Sequence, residues 1–296
     1  MTGETLATSR RGAPSYDRFY YLRYFGPDGE LAYGRSEHWL RFFGHIADRI
    51  VSDIGPGSVL DAGCAMGILV ESLRDRGVDA HGVDVSEYAL GEVREDVRPY
   101  CALGSVTEPF RRRYDLITCI ETLEHLAPAD AERAAANICA HTDDLLFSST
   151  PTHFKEVTHL NVRPPEYWAE LFARHGLYRD VDYDPATYVC RWAVRFRRLR
   201  EPAPRVAGGY ERLCSRLRQE NQEVRELCLE QQDELRAVHA RLERAEAAAA
   251  SARGELELVR GTATWRVAAG LARAADLLPR GARRALAGRV RRPPPS

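Results

Sequence analysis

The chain has 296 residues, enough for one folded core of about 150 to 200 residues and an appendage. Its 42 basic and 43 acidic residues leave a net charge of −1, so charge gives no reason to expect nucleic acid as a partner. Seven cysteines without a CxxC pair argue against a disulfide framework and against a cysteine-built zinc site. The chain also lacks a signal-peptide core and an apolar run of about 18 residues. We therefore expect a cytoplasmic protein with reduced thiols and no nucleic-acid partner.

The polar N-terminus, residues 1–13, is expected to be disordered. An aromatic-rich stretch follows, which includes Tyr16, Tyr20 and Tyr21. We expect these apolar rings to pack against another part of the protein. The spacing of apolar residues then predicts a one-sided helix from Glu37 to Ser52, closed by Pro56-Gly57.

The next stretch, from Ser58 to Val70, reads as a buried strand, a glycine turn and the start of a helix that extends to Arg76. Such a turn places backbone N–H groups at a helix N-terminus, which is typical of a nucleotide site. The spacing required for a dinucleotide is absent, since Ala65 and Ile68 occupy two of its glycine positions. What remains is Asp-x-Gly-x-Ala-x-Gly, from Asp61 to Gly67.

Alternating strands and helices continue downstream. A strand ends on Asp84, 21 residues beyond Gly63, where an acidic side chain suits two ribose hydroxyls. Ser86 is expected to cap a helix from Glu87 to Asp96. The remaining predicted strands are 100–103, 114–120, 144–148, 177–183 and 188–195, with helices over 128–140 and 166–175. The short turn 184–187 predicts an antiparallel C-terminal hairpin on an otherwise parallel α/β sheet.

These motifs, in this order, resemble the class I S-adenosylmethionine (SAM) methyltransferases of the small-molecule type. The resemblance rests on Asp61 to Gly67, Asp84, the run Tyr114 to Ile117, the run Glu121 to Leu126, and the run His159 to Trp168. It implies a Rossmann-like fold over residues 14–200, with a mostly parallel seven-stranded sheet and SAM as cofactor. Tyr16, Tyr20 and Tyr21 resemble the aromatic lid of such enzymes, although ordinary packing of an N-terminal arm explains them equally well.

The resemblance also implies which residues contact the cofactor. Asp84 would bind the ribose, Asp61 would orient the methionine amine, and Arg35 would pair with its carboxylate. Ala65 departs from the family glycine and is tolerable only at negative φ. Ser105 stands where many relatives have an aspartate near the adenine. The full predicted set is Arg35, Tyr20, Asp61, Gly63, Cys64, Ala65, Gly67, Asp84, Val85, Ser105, Val106 and Glu121.

On the acceptor side, His125, His159 and Glu124 are the candidate catalytic residues, with His125 slightly ahead of His159 as base. The pattern Glu121-x-x-Glu124-His125 resembles the ubiquinone-pathway O-methyltransferases, in which it binds a divalent metal. We do not favour a metal, because one histidine and two carboxylates are not specific. A satisfied hydrogen-bond network at the strand end is the structural alternative.

Beyond residue 200 the composition changes. Residues 201–209 are predicted to be a linker, and residues 210–260 hold a coiled-coil heptad pattern with Asn221 at a core position. Such a residue favours a parallel homodimer, while a solitary charged helix is the alternative. The tail, residues 261–296, is predicted to be a basic amphipathic helix and a disordered end. It could rest on anionic lipid at the inner membrane face or dock a glycosyltransferase.

Together these features predict SAM-dependent methyl transfer to a small-molecule or glycan hydroxyl, most simply a sugar of a bacterial surface glycan or its precursor. The sugar rests on the tail, because Gly261 to Val267 resembles a Trp-Arg box that ends coiled coils in bacterial glycosyltransferases and polysaccharide-assembly proteins. One alternative is a secondary metabolite or quinol-type hydroxyl. Another is a SAM-binding scaffold that recruits a glycosyltransferase without catalysis.

Overall fold

The computed structural model describes residues 16–23, 32–153, 156–199 and 203–276. The predicted disorder of residues 1–13 and the end of the tail beyond 276 lie outside these residues. The chain divides into two units, Met1–Leu213 and Cys214–Ser296.

The first unit is built around a seven-stranded sheet with the order β3-β2-β1-β4-β5-β7-β6. All neighbours are parallel except β7, which runs antiparallel to both β5 and β6. This confirms the predicted mostly parallel α/β sheet with antiparallel C-terminal strands. The strands are β1 Ser58–Ala62, β2 Asp79–Asp84, β3 Cys101–Leu103, β4 Leu116–Ile120, β5 Asp144–Ser148, β6 Leu177–Arg179 and β7 Val194–Arg198.

Helices cover both faces of the sheet, because consecutive strand residues point to opposite faces and both faces are apolar. In β5, for example, Leu146 packs in one core cluster with Ile46 and Leu69, while Phe147 packs in the other with Trp168. The helices of this unit are α1 Arg18–Arg23, α2 Glu37–Arg49, α3 Ile68–Arg74, α4 Glu87–Gly91, α5 Pro128–His141 and α6 Pro165–Ala173. Helix α2 continues as a π-helical turn, Ile50–Ile54, which Gly55 ends at a φ of 65°.

Three predicted elements differ from the structure. The helix after Ser86 stops at Gly91, although Ser86 does cap it by accepting from the Ala89 N–H at 3.0 Å. The antiparallel pair β6 and β7 is joined by residues 180–193, not by a tight turn, because the Asp184 side chain accepts from the Ala186 N–H and opens a 3₁₀ turn, Pro185–Thr187. The predicted linker is helical from Ala203 onwards.

That helix is α7, Ala203–Gly261, followed by α8, Ala263–Asp276. The long C-terminal helix is thus confirmed, whereas its pairing into a coiled coil stays a prediction. In the described part of the chain, no helix is both long and apolar enough to span a membrane.

The turn after β1 depends on Gly63, whose φ is 91°. A Cβ at Gly63 would lie 2.6 Å from Thr122 Cγ2 and still closer to the Thr122 hydroxyl. Gly77 also has a left-handed φ, 81°, but a Cβ there would meet nothing within 4 Å.

We therefore expect Gly63→Ala to destabilise the fold by about 3 kcal/mol or more, from left-handed strain plus overpacking. Gly77→Ala is the matched control and should cost only about 1 to 2 kcal/mol, since it carries the strain alone. Denaturant unfolding of both variants measures the difference, and equal losses would show that the Thr122 contact does not matter.

Candidate active site

The candidate site lies at the carboxyl edge of the sheet, where the strand order reverses between β1 and β4. Open α/β sheets bind ligands at this switch point, because the loops after the two strands diverge and leave a crevice. Here the loop after β1 is the glycine turn, residues 63–67, and the loop after β4 carries Glu121, Glu124 and His125.

Asp84 ends β2 beside the glycine turn. Its Oδ2 accepts the Ala65 N–H and its Oδ1 accepts the Ser86 N–H, both at 2.8 Å. Burial raises the pKa of Asp84, and the two N–H groups oppose the rise. Each oxygen retains a lone pair that could accept a hydrogen bond from one of two adjacent hydroxyls. The two acceptors therefore fit the hydroxyl pair of a ribose.

Ala65 adopts a φ of 45°, so the negative φ that we gave as the condition for an alanine at this position is not met. A left-handed alanine costs about 1 to 2 kcal/mol. The turn is fixed by other contacts, since the Gly63 and Cys64 N–H groups both donate to the Val83 carbonyl, at 2.8 and 3.1 Å. In this conformation the Ala65 N–H donates to Asp84, and these hydrogen bonds together hold the strained residue in place.

Asp61 is buried in β1, where its Oδ1 accepts the Thr118 hydroxyl at 2.7 Å. Burial raises the pKa of Asp61 to about 7, although the Thr118 hydroxyl acts to lower it. At this pKa about half of the Asp61 carboxyl groups are ionised near neutrality. A bound cation would favour the ionised form, so the site suits a cationic ligand.

The rest of the predicted cofactor set flanks these two acids. Gly67 ends the turn at a φ of 63°, and the Cys64 thiol packs against Gly82. Val85 is 53% exposed just after Asp84, and the Ser105 hydroxyl bonds that of Thr107 at 2.8 Å, ahead of buried Val106. Arg35 instead pairs with the buried Glu71, which Arg94 also contacts at 3.1 Å. The structure thus gives Arg35 a protein partner where we expected a carboxylate of the cofactor.

Aromatic side chains of the N-terminal segment pack over the glycine turn. Tyr20, Tyr21 and Tyr33 are buried together with Met66 and Ile68. The Tyr16 carbonyl accepts the Ser86 hydroxyl at 2.6 Å, which ties this segment to the end of β2. Tyr33 was not predicted to take part. The segment therefore packs over the glycine turn, as both an aromatic lid and ordinary packing of an N-terminal arm require, so the lid stays a prediction.

His125 connects this aromatic cover to the loop of residues 156–161. Its Nδ1 lies 3.3 Å from the Thr158 carbonyl, which can only accept, so Nδ1 carries the proton and Nε2 is the acceptor. Nε2 lies 3.4 Å from the Tyr20 hydroxyl. Burial and nearby His159 lower the pKa of His125 to about 4, so the ring is neutral at pH 7.

His159 lies against His125, with ring centroids 4.7 Å apart. Its Nδ1 faces the His153 carbonyl at 2.8 Å and its Nε2 faces Glu156 at 3.1 Å. Both partners are acceptors, so each ring nitrogen of His159 already faces a protein group and would have to leave it to serve as a base.

Glu124, which we predicted to be catalytic, has a side chain with no access to solvent. It is fully buried, its Oε1 accepts the Thr150 N–H at 3.2 Å and its backbone carbonyl accepts the Asn161 N–H at 2.9 Å. Burial and the neighbouring Glu121 raise the pKa of Glu124 well above its usual range. Glu124 is therefore a buried anchor for the loop.

Glu121 has a φ of 50°, and its Oε1 accepts the Trp192 indole N–H at 2.6 Å. Trp192 belongs to the connection between β6 and β7, which we predicted as strand, so the sequence held no signal for this contact. Because Glu121 points to Trp192 and Glu124 is buried, the pattern Glu121-x-x-Glu124-His125 does not form a metal-ligand set.

A different group, His125, Glu156 and His159, brings its potential ligand atoms within 4.8 Å of one another. Each imidazole nitrogen of the group already faces a protein partner, so we derive no metal-dependent step. Glu156 was not among the predicted site residues, although a connection as long as residues 149–165 inside a compact domain is usually functional.

Comparisons with known proteins agree with this geometry. A profile described as a methyltransferase domain matches residues 35–181. A ubiquinone biosynthesis O-methyltransferase of Methylococcus capsulatus is 29% identical over 183 residues, which cover 58% of this chain and 74% of that protein. Another, of Alkalilimnicola ehrlichii, is 31% identical over 189 residues, covering 60% and 70%.

Among solved structures, a SAM-bound amino pentose methyltransferase of Micromonospora echinaspora matches with a TM-score of 0.46 and 18% identity, over 56% of this chain and 94% of that one. The glycine turn, the strand order and the two O-methyltransferase relatives lead to one conclusion: the chain belongs to the class I SAM-dependent methyltransferases, and SAM is its methyl donor.

Proposed function

We propose that this protein transfers a methyl group to a hydroxyl of a small acceptor, a sugar of a bacterial surface glycan or of its lipid- or nucleotide-linked precursor. The observation that carries hydroxyl methylation is the state of His125, a neutral ring whose Nε2 can accept a proton beside the candidate cofactor turn. The two relatives named as O-methyltransferases support the same reaction.

The sulfonium of SAM supplies an activated methyl group, so the protein has to position the acceptor and exclude water. Asp84 would bind the ribose hydroxyls and Asp61 the ammonium group. The tyrosine-rich segment, with Tyr20, Tyr21 and Tyr33 buried, would keep water from the transfer.

An acceptor hydroxyl loses its proton as its oxygen takes the methyl. The Thr158 carbonyl fixes the His125 tautomer and leaves Nε2 to receive that proton. Tyr20 now occupies the Nε2 side at 3.4 Å, so the acceptor hydroxyl would take the place of this phenol or hand its proton through it. Because the pKa of His125 is low, it accepts the proton late, once the oxygen–methyl bond is forming.

Two features favour different acceptors. The resemblance of Gly261 to Val267 to a Trp-Arg box favours a sugar, and this stretch lies at the junction of α7 and α8. The relatives named for ubiquinone biosynthesis favour a quinol-type hydroxyl as the second candidate.

Turnover distinguishes these proposals. With SAM, we expect product on one class within a panel of sugar nucleotides, lipid-linked glycans and catechol or quinol compounds, detected by mass spectrometry. Product on quinols alone contradicts the sugar. Calorimetric binding of S-adenosylhomocysteine without product on any acceptor favours the scaffold alternative, and no binding contradicts every version of the proposal.

We expect His125→Ala to lower kcat by about 10²- to 10⁴-fold while S-adenosylhomocysteine still binds, since the base is lost and the glycine turn is not. His159→Ala should lower kcat less, because both its ring nitrogens serve the loop. His38→Ala, an exposed histidine on α2, is the control. Unchanged rates in both His125→Ala and His159→Ala would remove base catalysis from the mechanism.

Asp61 gives a pH prediction. With a pKa of about 7, it is mostly protonated at pH 6 and mostly ionised at pH 8. Because an ammonium group binds the ionised form, affinity for S-adenosylhomocysteine should rise about tenfold over this range. Asp61→Asn should bind weakly with no such rise.

Thr118→Val removes the hydroxyl that favours ionisation of Asp61, so the rise in affinity should move to higher pH. Calorimetry at several pH values measures all three proteins. A flat profile in the unaltered protein would show that Asp61 does not contact the ammonium group.

A further inference from the structure

The part of α7 in the second unit has an apolar stripe that the described residues of this chain leave uncovered. Every residue from Cys214 to Gly261 is exposed. The stripe follows the heptad core positions and includes Leu217, Leu235 and Val259, which are 52%, 63% and 51% exposed. The stripe is mostly apolar, interrupted by Asn221 and Gln231, and an exposed stripe of this length marks a contact surface.

The charged residues beside the stripe indicate what covers it. In a parallel coiled coil of two aligned chains, the residue before each a position faces the residue five places further along the partner. Glu220 would then face the partner's Arg225, Arg241 the partner's Glu246, and Glu255 the partner's Arg260. Glu234 would face the partner's His239. Between positions 214 and 260, no such pair joins like charges.

We propose that the α7 stripe binds a second copy of this chain, parallel and in register. The proposal is independent of the methyl acceptor. It identifies an interaction surface, residues 214–260, and fixes its partner and its orientation.

The same residues favour the parallel over the antiparallel orientation. If two fully overlapping helices ran antiparallel, Arg218 would meet the partner's Arg253 and Glu220 the partner's Glu255, which repel, whereas Arg225 would meet the partner's Glu246 and Glu234 the partner's Arg241, which attract. These antiparallel pairs cancel, whereas the parallel pair has attractive flanking pairs and no like-charge pair. Asn221 at an a position further supports a parallel pair, because two asparagines can bond each other only when the chains are in register.

The cysteines make the orientation measurable. Cys214 and Cys228 are the two exposed cysteines, and both occupy a positions, whereas the other five are buried or half-buried in the first unit. In the proposed pair, each faces its own counterpart across the core. In the antiparallel pair, Cys214 faces the far end of the partner helix and Cys228 faces the partner's Ala245, so neither meets its own counterpart.

The first test uses the full chain. Light scattering at micromolar concentration should give twice the 33.3 kDa of one chain. Under a mild copper–phenanthroline oxidant, Cys214→Ser and Cys228→Ser should each still form a reducible cross-linked dimer through the remaining exposed cysteine. The double variant should not. A mass of one chain, or a dimer that neither single variant cross-links, overturns the proposal.

The second test exchanges charges. Glu220→Arg/Glu255→Arg places arginine opposite arginine in a parallel homodimer, and Arg225→Glu/Arg260→Glu places glutamate opposite glutamate. Each variant alone should dimerise at least about tenfold more weakly than the unaltered chain. Mixed together, they should form a heterodimer, because every altered pair is then attractive again.

Co-purification of differently tagged chains detects this preference. Circular dichroism and S-adenosylhomocysteine binding check that both variants fold, since the altered residues lie outside the methyltransferase domain. Equal dimerisation of the two variants alone and mixed would contradict the parallel, aligned pair.

Discussion

The site depends on the close packing of Gly63 against Thr122. The Thr122 side chain fills the space that a Cβ at Gly63 would need, and its hydroxyl lies 3.2 Å from the Ala62 carbonyl and 3.1 Å from the Ile120 carbonyl. One side chain thereby joins the carboxyl ends of β1 and β4, the two strands that flank the switch point. The crevice lies between the loops after β1 and β4, and the packing of Thr122 on Gly63 fixes the distance between these loops.

Strained backbone occurs on both sides of that contact. Ala65 and Glu121 are the non-glycine residues with positive φ in the described chain, and each belongs to one of the two loops. Each is held by its own N–H, Ala65 on Asp84 and Glu121 on the Ser148 carbonyl at 3.1 Å. Strain of this kind persists only where neighbouring bonds over-determine the conformation, and it concentrates at functional sites. The hydrogen bonds to Asp84, Ser148 and Trp192 keep the Ala65 N–H and the Glu121 carboxylate in place.

The sequence predicted those parts of the molecule that local patterns determine. Strands β1 and β5 were placed correctly because each is a short apolar run with clear ends. The link between β6 and β7 was not, because Asp184-Pro185 suits a hairpin turn as well as a 3₁₀ turn, and the hydroxyl pair of Tyr183 and Tyr188 at 2.6 Å is a tertiary contact. The candidate site was likewise predicted only where local patterns determine it. Asp61 and Asp84 follow from strand ends, whereas the contacts of His125 with Tyr20 and His159 join segments far apart in sequence.

The candidate site residues all belong to the first unit, whereas the proposed α7 contact surface belongs to the second. If α7 pairs as we propose, the dimer would carry two candidate sites. For an acceptor with repeated units, such as a glycan, the second encounter would then be intramolecular, which would raise its effective concentration. An acceptor with a single methylation site would gain no such increase in effective concentration. A parallel α7 dimer would therefore suit a polymeric acceptor better than a monomeric one.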